Sequence, residues 1–250
     1  MTAEQLIKQA LKAVSCKTLY IKGCFGAPMT QTNKKRYSTN YAYNKARAWK
    51  INAASKDTFG FDCVCLIKGL LWGWDGDVNK VYGGAVYESN GVPDIGETEM
   101  ISKCTEVSAD FTKIPKGAML YMTGHCGIYI GDGLAVEASS KWKDGVQITA
   151  VKNIAEKDGY NSRTWERWGT LPWVDYPPKD EGYEQFKAYM DRYLKERAEL
   201  PADDYALDAM RWAEEEGIIH GNEVGTSPKS FAQREEVVEM LYRMENDGVQ

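Results

Sequence analysis

Apolar residues change their spacing along the chain. The opening segment, MTAEQLIKQALKAV, has the spacing of a helix, and a second helix is predicted to begin near Asp62. Segments in which apolar and polar residues alternate follow, namely AMLYMT, HCGIYIG, LAVEASS and GVQITAV. Each is bounded by Gly or Asp-Gly, which are typical of turns between strands. Helices followed by an antiparallel meander predict an α+β fold, in which a helix packs on an antiparallel sheet.

A change of composition divides the chain near Pro177. The segment WGTLPWVDYPPKDE ends an aromatic-rich stretch, crosses a Pro-Pro step and enters an acidic run. Beyond it, helical spacing recurs in EGYEQFKAYMDRYLKERAEL, DDYALDAMRWAEEEG and SFAQREEVVEMLYRM. We therefore expect two domains, one over residues 1–177 and a small all-α domain over residues 178–250.

Charge is distributed unevenly between these two predicted domains. The 250-residue chain has a net charge of −5, yet residues up to Pro178 carry a small positive excess and residues from Lys179 onward a strong negative one. This asymmetry indicates that the two domains have different partners. The sequence has no clustered basic stripe of the kind that binds nucleic acid, so nucleic acid is not an expected partner.

The sequence also bears on where the protein acts. No segment approaches the roughly 18 consecutive apolar residues of a membrane span, so we expect no insertion into a membrane. The first residues include Glu4, Lys8 and Lys12 instead of the continuous apolar stretch of a signal peptide. The chain is therefore predicted to be made in the cytoplasm without a signal peptide.

The six cysteines lie in the first half of the chain. In a cytoplasmic product they favour reduced thiols or a site over a disulfide framework, although one later-formed bridge stays open. With Asp62 as the N-cap, Cys63 falls on the same helix face as the apolar residues, and Cys65 lies roughly 200° away around the helix axis. The free backbone N–H groups and the positive dipole at a helix start stabilise a thiolate. Cys63 is therefore the candidate nucleophile, against the plainer interpretation of one more buried cysteine.

A thiolate needs a base, and the chain has two histidines. His220 lies in the acidic second half, whereas His125 begins a predicted strand in the same domain as Cys63. If the hairpin closes with a three-residue Gly131-Asp132-Gly133 loop, Gly127 pairs with Glu137, and the Glu137 and His125 side chains share a face. A two-residue turn would place Glu137 on the opposite face. Glu137 is therefore the candidate residue that orients the base.

These residues resemble motifs of a known family. FDCVCLIKG resembles the nucleophile segment of NlpC-like cysteine peptidases, and GHCGIYIGDG with AVEAS resembles their histidine strand and the strand after it. The closest resemblance is to phage-type endolysins and spans roughly residues 15 to 150. It implies a papain-like fold that cleaves amide bonds in the peptide part of bacterial peptidoglycan, with Cys63 as nucleophile, His125 as base and Glu137 in the third position.

Two positions differ from the family pattern. Position 65 is Cys where a Gly or similar small residue is usual, and position 137 is Glu where many relatives carry His. The second difference is shared with CHAP-like enzymes. An NlpC-like endopeptidase is therefore the first expectation, and a CHAP-like N-acetylmuramoyl-L-alanine amidase is the alternative. The missing signal sequence fits an endolysin that reaches the wall through a membrane lesion made by another protein.

Further residues are candidates for contact with the substrate. Asp62, besides capping the helix, is expected to meet an amine of the stem peptide. Tyr43, Trp72 and Trp142 are candidate walls of the cleft, although ordinary packing is the plainer interpretation of each of them.

Metal binding is a competing interpretation of the same segments. Cys63, Cys65, His125 and Cys126 could in principle surround zinc, but neighbours on a strand, and residues two apart on a helix, point in different directions. No metal and no cofactor is expected.

The segment DDYALDAMRWAEEEGIIHGN followed by SFAQREEVVEMLYRM resembles one surface-layer-homology unit. That resemblance implies binding of a cell-wall polymer, with Trp212 and Arg234 as the candidate binding residues. Gln233 and Glu235 replace the usual Thr and Ala around that arginine. Because three such units usually form one platform, a single unit implies weak affinity or association of several chains. A wall-binding protein without catalysis is the remaining alternative.

Overall fold

The computed structural model describes residues 1–177, 181–221, 226–232 and 234–246. The chain divides into two compact units, Met1–Pro177 and Pro178–Gln250. Pro178 and Lys179, where the sequence predicts the domain boundary, lie outside the described residues. The helices of the first unit are α1 (Ala3–Ser15), α2 (Gln31–Asn40), α3 (Ala42–Ala46), α4 (Ala48–Ala53), α5 (Cys63–Leu71) and α6 (Glu97–Ser102).

The strands of the first unit form two sheets. They are β1 (Thr18–Tyr20), β2 (Phe25–Pro28), β3 (Phe59–Phe61), β4 (Val107–Ser108), β5 (Met119–Met122), β6 (His125–Gly131), β7 (Leu134–Ser139), β8 (Gly145–Val151), β9 (Ser162–Arg163) and β10 (Arg167–Gly169). One sheet has the strand order β1-β3-β2, and the other has the order β4-β10-β5-β6-β7-β8-β9. The predicted mixed α+β composition is confirmed.

The predicted meander corresponds to β5 through β8, which pair antiparallel in chain order. Parallel pairing occurs between β1 and β3 and between β8 and β9. Neither parallel pair was predicted, because a strand of two or three residues is too short to show a period in the sequence.

Helix α5 is buried along its whole length. The predicted N-cap is confirmed, because the Asp62 side chain accepts a hydrogen bond from the backbone N–H of Cys65 at 2.6 Å. One side of the helix packs against β6 and β7, and the other side packs against β2. A Cβ at Gly69 would lie 2.7 Å from the carbonyl oxygen of Phe25, so glycine at this position permits the close approach of β2.

The hairpin between β6 and β7 combines a tight turn with a β-bulge. Gly131 pairs with Leu134, so the loop is the two-residue turn Asp132-Gly133, whose φ angles are 52° and 72°. Of the two loop lengths considered from the sequence, the two-residue turn is the one that forms, and the expectation that it would place Glu137 on the opposite face is wrong. The register shifts by one residue between Tyr129 and Gly131, which forms a β-bulge. Before this bulge, the two strands keep the predicted register, in which Gly127 lies opposite Glu137. The bulge thus places Glu137 on the predicted face despite the shorter turn.

The second unit is described by itself. It contains α7 (Glu181–Ala198), a short 3₁₀ turn (Asp204–Ala206), α8 (Leu207–Glu215) and α9 (Arg234–Asn246). Within the described ranges, no helix of the chain is long and apolar enough to cross a membrane.

Candidate active site

Cys63 is the first residue of α5 and lies against the beginning of β6. Its sulfur hydrogen-bonds with the side chains of Cys126, His125 and Tyr20, and the side chain is only 7% exposed. The strand start and the helix start therefore meet, which brings the predicted nucleophile and base together.

The Cys63 thiol is strongly acidified. The hydrogen bond with the Cys126 side chain has the largest effect, and the hydrogen bond and charge of His125 add to it. Together they outweigh burial and lower the pKa of Cys63 to about 4. Burial raises the pKa of Cys126 well above its usual value, so Cys126 stays a neutral thiol that donates its S–H to the Cys63 thiolate.

The His125 imidazole is held in its charged form. Burial acts to lower its pKa, but the hydrogen bonds to Cys63 and Glu137 outweigh this effect, so the pKa of His125 lies above its usual value. A thiolate beside an imidazolium is the activated state of a nucleophilic cysteine.

Glu137 is fully buried and lies behind the imidazole. Its Oε2 is 2.5 Å from Nε2 of His125, so Nδ1 is the ring nitrogen left for the Cys63 sulfur. Arg163 binds both carboxylate oxygens, with Nε 2.9 Å from Oε1 and Nη2 2.7 Å from Oε2. The Thr149 hydroxyl donates to Oε1 at 2.7 Å. Burial acts to raise the pKa of Glu137, but its hydrogen bonds to His125 and Arg163 reverse the direction and keep it ionised.

The imidazole is also positioned by ring stacking. The Trp165 ring lies nearly parallel to it at 12°, with 5.6 Å between the centroids. A Cβ at Gly127 would lie 3.1 Å from the Trp165 ring and 3.4 Å from Cβ of Glu137, so the glycine leaves space for both. The His125 ring is therefore fixed by contacts at its edge and on its face.

Five residues of this site were not identified from the sequence: Tyr20, Cys126, Thr149, Arg163 and Trp165. One of them, Thr149, could have been identified from the sequence. Glu137 pairs with Gln147 in the next hairpin, so Thr149, two residues further along β8, lies on the same face. The other four lie on short strands, in loops or on the face opposite His125, where the periodicity of the sequence gives no information about partners.

The predicted aromatic walls have different environments. Tyr43 and Trp142 are each 37% exposed. Tyr43 packs edge-on against Tyr20 with 5.7 Å between centroids, and the Arg163 guanidinium lies 5.0 Å from the Trp142 ring centroid. Both therefore flank the site. The expectation for Trp72 is wrong, because its ring is 1% exposed.

Trp72 belongs to the core for a physical reason. Its ring packs against Phe25 at 5.1 Å, and its Nε1 donates to the carbonyl oxygen of Val92 at 2.8 Å. Buried tryptophan requires a partner for its N–H group, and here the protein supplies one internally.

Both carboxylate oxygens of Asp62 accept hydrogen bonds from nearby backbone N–H groups. Besides the cap to Cys65, its Oδ2 accepts the N–H of Gly23 at 2.6 Å. Burial, followed by the charge of Cys63, raises the pKa of Asp62 to about 6. The side chain lines a cleft beside α5. Contact with a substrate amine stays a prediction.

The cysteines considered as possible zinc ligands do not all contact one another. Burial raises the pKa of Cys65 well above its usual value, and its side chain hydrogen-bonds with Asp62 rather than with Cys63. In the described part of the chain, no group of three or more His, Cys, Asp or Glu side chains has an arrangement that could hold a metal ion.

The residues predicted to bind a wall polymer lie in the second unit. Trp212 lies on α8 and Arg234 begins α9, and both side chains are exposed. Gln233, one of the replacements beside that arginine, lies outside the described residues.

One solved structure of a bacterial domain is similar to part of this chain. It is the crystal structure of the P60 domain from M. avium subspecies paratuberculosis antigen MAP1204, with 15% identity and a TM-score of 0.33, covering 67% of this chain and 96% of that chain. This likeness concerns the fold alone. No family model matches the chain, and no curated protein matches it either.

Proposed function

We propose that the protein is a cysteine hydrolase of amide bonds, with Cys63 as nucleophile, His125 as general base and acid, and Glu137 as the residue that orients the imidazole. The observation that carries this proposal is the position of the His125 ring, which hydrogen-bonds with the Cys63 sulfur and lies 2.5 Å from the Glu137 carboxylate. This order of nucleophile, base and orienting acceptor is the arrangement that covalent acyl transfer requires.

The reaction follows from this geometry. The Cys63 thiolate attacks the carbonyl carbon of the amide, and the His125 imidazolium then gives its proton to the leaving nitrogen. Water, deprotonated by His125, hydrolyses the thioester and releases the enzyme. Glu137 keeps the ring oriented and stabilises its charge throughout.

Donors at the start of α5 would hold the tetrahedral oxyanion. The N–H groups of Cys65 and Leu66 are bound by the side chain and carbonyl of Asp62. The N–H groups of Cys63 and Val64 in the first helical turn have no intrahelical acceptor, so they are available to a substrate oxygen. The Tyr20 hydroxyl, which contacts the Cys63 sulfur, is a further donor.

For the substrate, we propose the stem peptide of bacterial peptidoglycan. The support is the resemblance of FDCVCLIKG and GHCGIYIGDG to NlpC-like peptidases and phage-type endolysins, which also suggests a papain-like arrangement. Endopeptidase cleavage is the first candidate. CHAP-like amidase cleavage is the second, because Glu137 stands where many NlpC-like relatives have His.

For the second unit, we propose attachment to a cell-wall polymer through the exposed Trp212 and Arg234. The resemblance to one surface-layer-homology unit supports this role, and association of several chains would compensate for a single unit. In this proposal the protein acts on the wall after release from the cell that makes it.

Two measurements test the proposed function. Wild-type protein should clear a suspension of purified cell walls, and Cys63→Ala should not, although both should bind the walls equally. Mass spectrometry of the released fragments identifies the cleaved bond and separates endopeptidase from amidase. Equal clearing by both proteins would contradict the hydrolase, and binding without clearing by the wild type would favour the non-catalytic alternative.

A further inference from the structure

Arg163 contacts both of the groups that fix the His125 ring. Its guanidinium binds the two carboxylate oxygens of Glu137. The guanidinium carbon also lies 5.7 Å from the centroid of the Trp165 ring, which stacks on the imidazole. One cation therefore touches the carboxylate at the edge of the imidazole and the ring on its face, so a displacement of this cation would disturb the base from two directions.

The backbone alone holds Arg163 only weakly. It lies on β9, a strand of two residues at the edge of its sheet, which pairs with β8. So short an edge ladder contributes few hydrogen bonds, and residues 152–161 before it are all exposed. The position of the guanidinium therefore depends on the groups that its side chain contacts.

The Trp142 ring is one of these groups. Its centroid lies 5.0 Å from the Arg163 guanidinium carbon, which is within the range of a cation–π interaction. The Arg163 side chain is only 13% exposed. The indole helps to exclude water from the ion pair between Arg163 and Glu137, and an ion pair is stronger where water is excluded.

The backbone of Trp142 is strained. Its φ angle is 63°, in the left-handed region that a bulky residue rarely adopts. Strain of this kind persists only where the surrounding contacts hold the chain in place, and it is often found at functional sites. The conformation of Trp142 therefore indicates that its position is imposed by its neighbours.

Contacts on both sides of Trp142 restrain the loop between β7 and β8. On one side, the Ser139 hydroxyl accepts the backbone N–H of Lys141 at 3.1 Å. On the other side, the Asp144 carboxylate binds the Lys50 ammonium at 2.6 Å. The indole is thus presented to Arg163 from a loop that is anchored at both ends.

We propose that Trp142 is a positioning residue whose ring holds the Arg163 guanidinium against Glu137. In this way it keeps the His125 imidazole aligned with Cys63. The assignment rests on the amide hydrolysis proposed above and concerns how that site is kept ready to react. It differs from the wall of the substrate cleft that the sequence suggested, because a wall acts only on bound substrate, whereas a positioning residue acts on the reactive groups even when substrate is absent.

The first test needs no substrate. Trp142→Ala should loosen the hydrogen bond of His125 that stabilises the Cys63 thiolate, so the pH profile of Cys63 alkylation by iodoacetamide should shift to higher pH by about half a unit. Trp142→Leu, which keeps apolar bulk without a π face, should show the same shift if Trp142→Ala does not fold. Trp142→Phe should restore most of the wild-type profile. An unchanged profile in the folded Ala or Leu variant would overturn the proposal.

Trp49→Ala is the matched control. Trp49 is a tryptophan that is 69% exposed, and its ring also lies near a cation, with the Lys50 ammonium 5.5 Å from its centroid. Its replacement should leave the alkylation profile unchanged, and thermal unfolding shows that each variant is folded. An equal shift in Trp49→Ala would reveal a general effect of losing a surface ring, and the assignment would then be wrong.

A double-mutant cycle tests whether Trp142 acts through Arg163. Arg163→Gln removes the guanidinium, so the indole then has no cation to hold against Glu137. Adding Trp142→Leu to Arg163→Gln should therefore cause little further shift of the alkylation profile. Arg163→Lys, which loses the planar fork, takes its place if Arg163→Gln does not fold. Fully additive shifts would contradict the proposed route through Arg163.

Kinetics on a soluble stem-peptide fragment separate positioning from substrate contact. Trp142→Leu should lower kcat about fivefold and change KM by about twofold or less. A loss confined to KM, with the alkylation profile unchanged, would make Trp142 a wall of the cleft and overturn the assignment while leaving the hydrolase proposal intact. If the wild type cleaves no fragment but the profile shifts as expected, the positioning role stands and the hydrolase proposal fails.

Discussion

At the scale of single residues, the site depends on the groups that surround one sulfur and one imidazole. Cys63 receives hydrogen bonds from Cys126 and His125, and these lower its pKa to about 4. Burial acts to lower the pKa of His125, but the hydrogen bonds to Cys63 and Glu137 raise it above its usual value. The thiolate–imidazolium pair should therefore exist from about pH 4 to above the usual pKa of histidine.

The first prediction concerns the pH dependence of Cys63 alkylation. Only the thiolate reacts, so the rate of modification by iodoacetamide should rise as the pH increases through about 4. Cys126→Ala removes the largest stabilising contact and should raise the pKa of Cys63, which shifts this profile upward by about one pH unit. Mass spectrometry of the labelled peptide measures the rate. Cys104→Ala is the control, and identical profiles for all three proteins would contradict the role of Cys126.

The second prediction concerns Arg163, which holds both oxygens of the buried Glu137. Arg163→Gln leaves that carboxylate without its fixed cation, so we expect a loss of about 3 kcal/mol in the free energy of unfolding. We also expect kcat to fall more than KM rises, because Arg163 acts through Glu137 and not on the substrate. Denaturant unfolding and wall-clearing kinetics measure the two effects.

Arg167→Gln provides the comparison for this variant. Arg167 is an exposed arginine on β10, where it lies over the Tyr121 ring. Its replacement should cost less than about 1 kcal/mol. If the two variants lose the same stability and the same activity, Arg163 has no special function in the site.

At the scale of elements, the helix start and the hairpin register bring the reactive groups together. Asp62 caps α5 and fixes the loop at Gly23 through its second oxygen. The β-bulge in β6 compensates for the two-residue turn and returns Glu137 to the face of His125. Either element alone would leave the sulfur or the carboxylate without its partner.

The third prediction concerns the Asp62 cap. Asp62→Ala leaves two backbone N–H groups without an acceptor in a buried region, so we expect a loss of about 2–4 kcal/mol in the free energy of unfolding. Asp62→Asn keeps an oxygen acceptor and should lose less. Asp110→Ala, which removes an exposed cap of the 3₁₀ turn Phe111–Lys113, is the matched control and should lose about 1 kcal/mol or less. Equal losses of stability in all three variants would show that the cap at α5 contributes no more to the free energy of unfolding than an exposed cap does.

At the scale of the whole molecule, two units with different chemistry share one chain. The first unit contains every residue of the candidate active site and the cleft beside it. The second unit carries the exposed residues that we propose to bind a wall polymer. Hydrolysis of soluble fragments and attachment to intact walls should therefore be separable by substitution.

The fourth prediction tests this separation in the full chain. Arg234→Gln removes an exposed cation at the start of α9 and should weaken binding to purified walls several-fold, with hydrolysis of a soluble stem-peptide fragment unchanged. Arg243→Gln, on the same helix and paired with Glu239, is the control and should retain binding. Sedimentation of the protein with walls measures binding. Unchanged sedimentation of the Arg234 variant would contradict the role of that residue.

The sequence by itself determined the local features on which the site is built. Asp62 followed by apolar spacing predicted the cap and the position of Cys63. This prediction succeeded because caps and periodicity depend on residues only a few positions apart. The shared face of His125 and Glu137 was predicted for a three-residue loop, and it occurs with a two-residue turn because of the β-bulge in β6.

The tertiary structure decided which groups surround those residues. Arg163 reaches Glu137 across 26 positions of the chain, and Tyr20 reaches Cys63 from a three-residue strand whose length shows no period. The burial of Trp72 depends on Phe25 and Val92, which no local pattern connects with it. Such contacts arise from the packing of distant segments, and their identity follows from the complete fold rather than from the spacing of neighbouring residues.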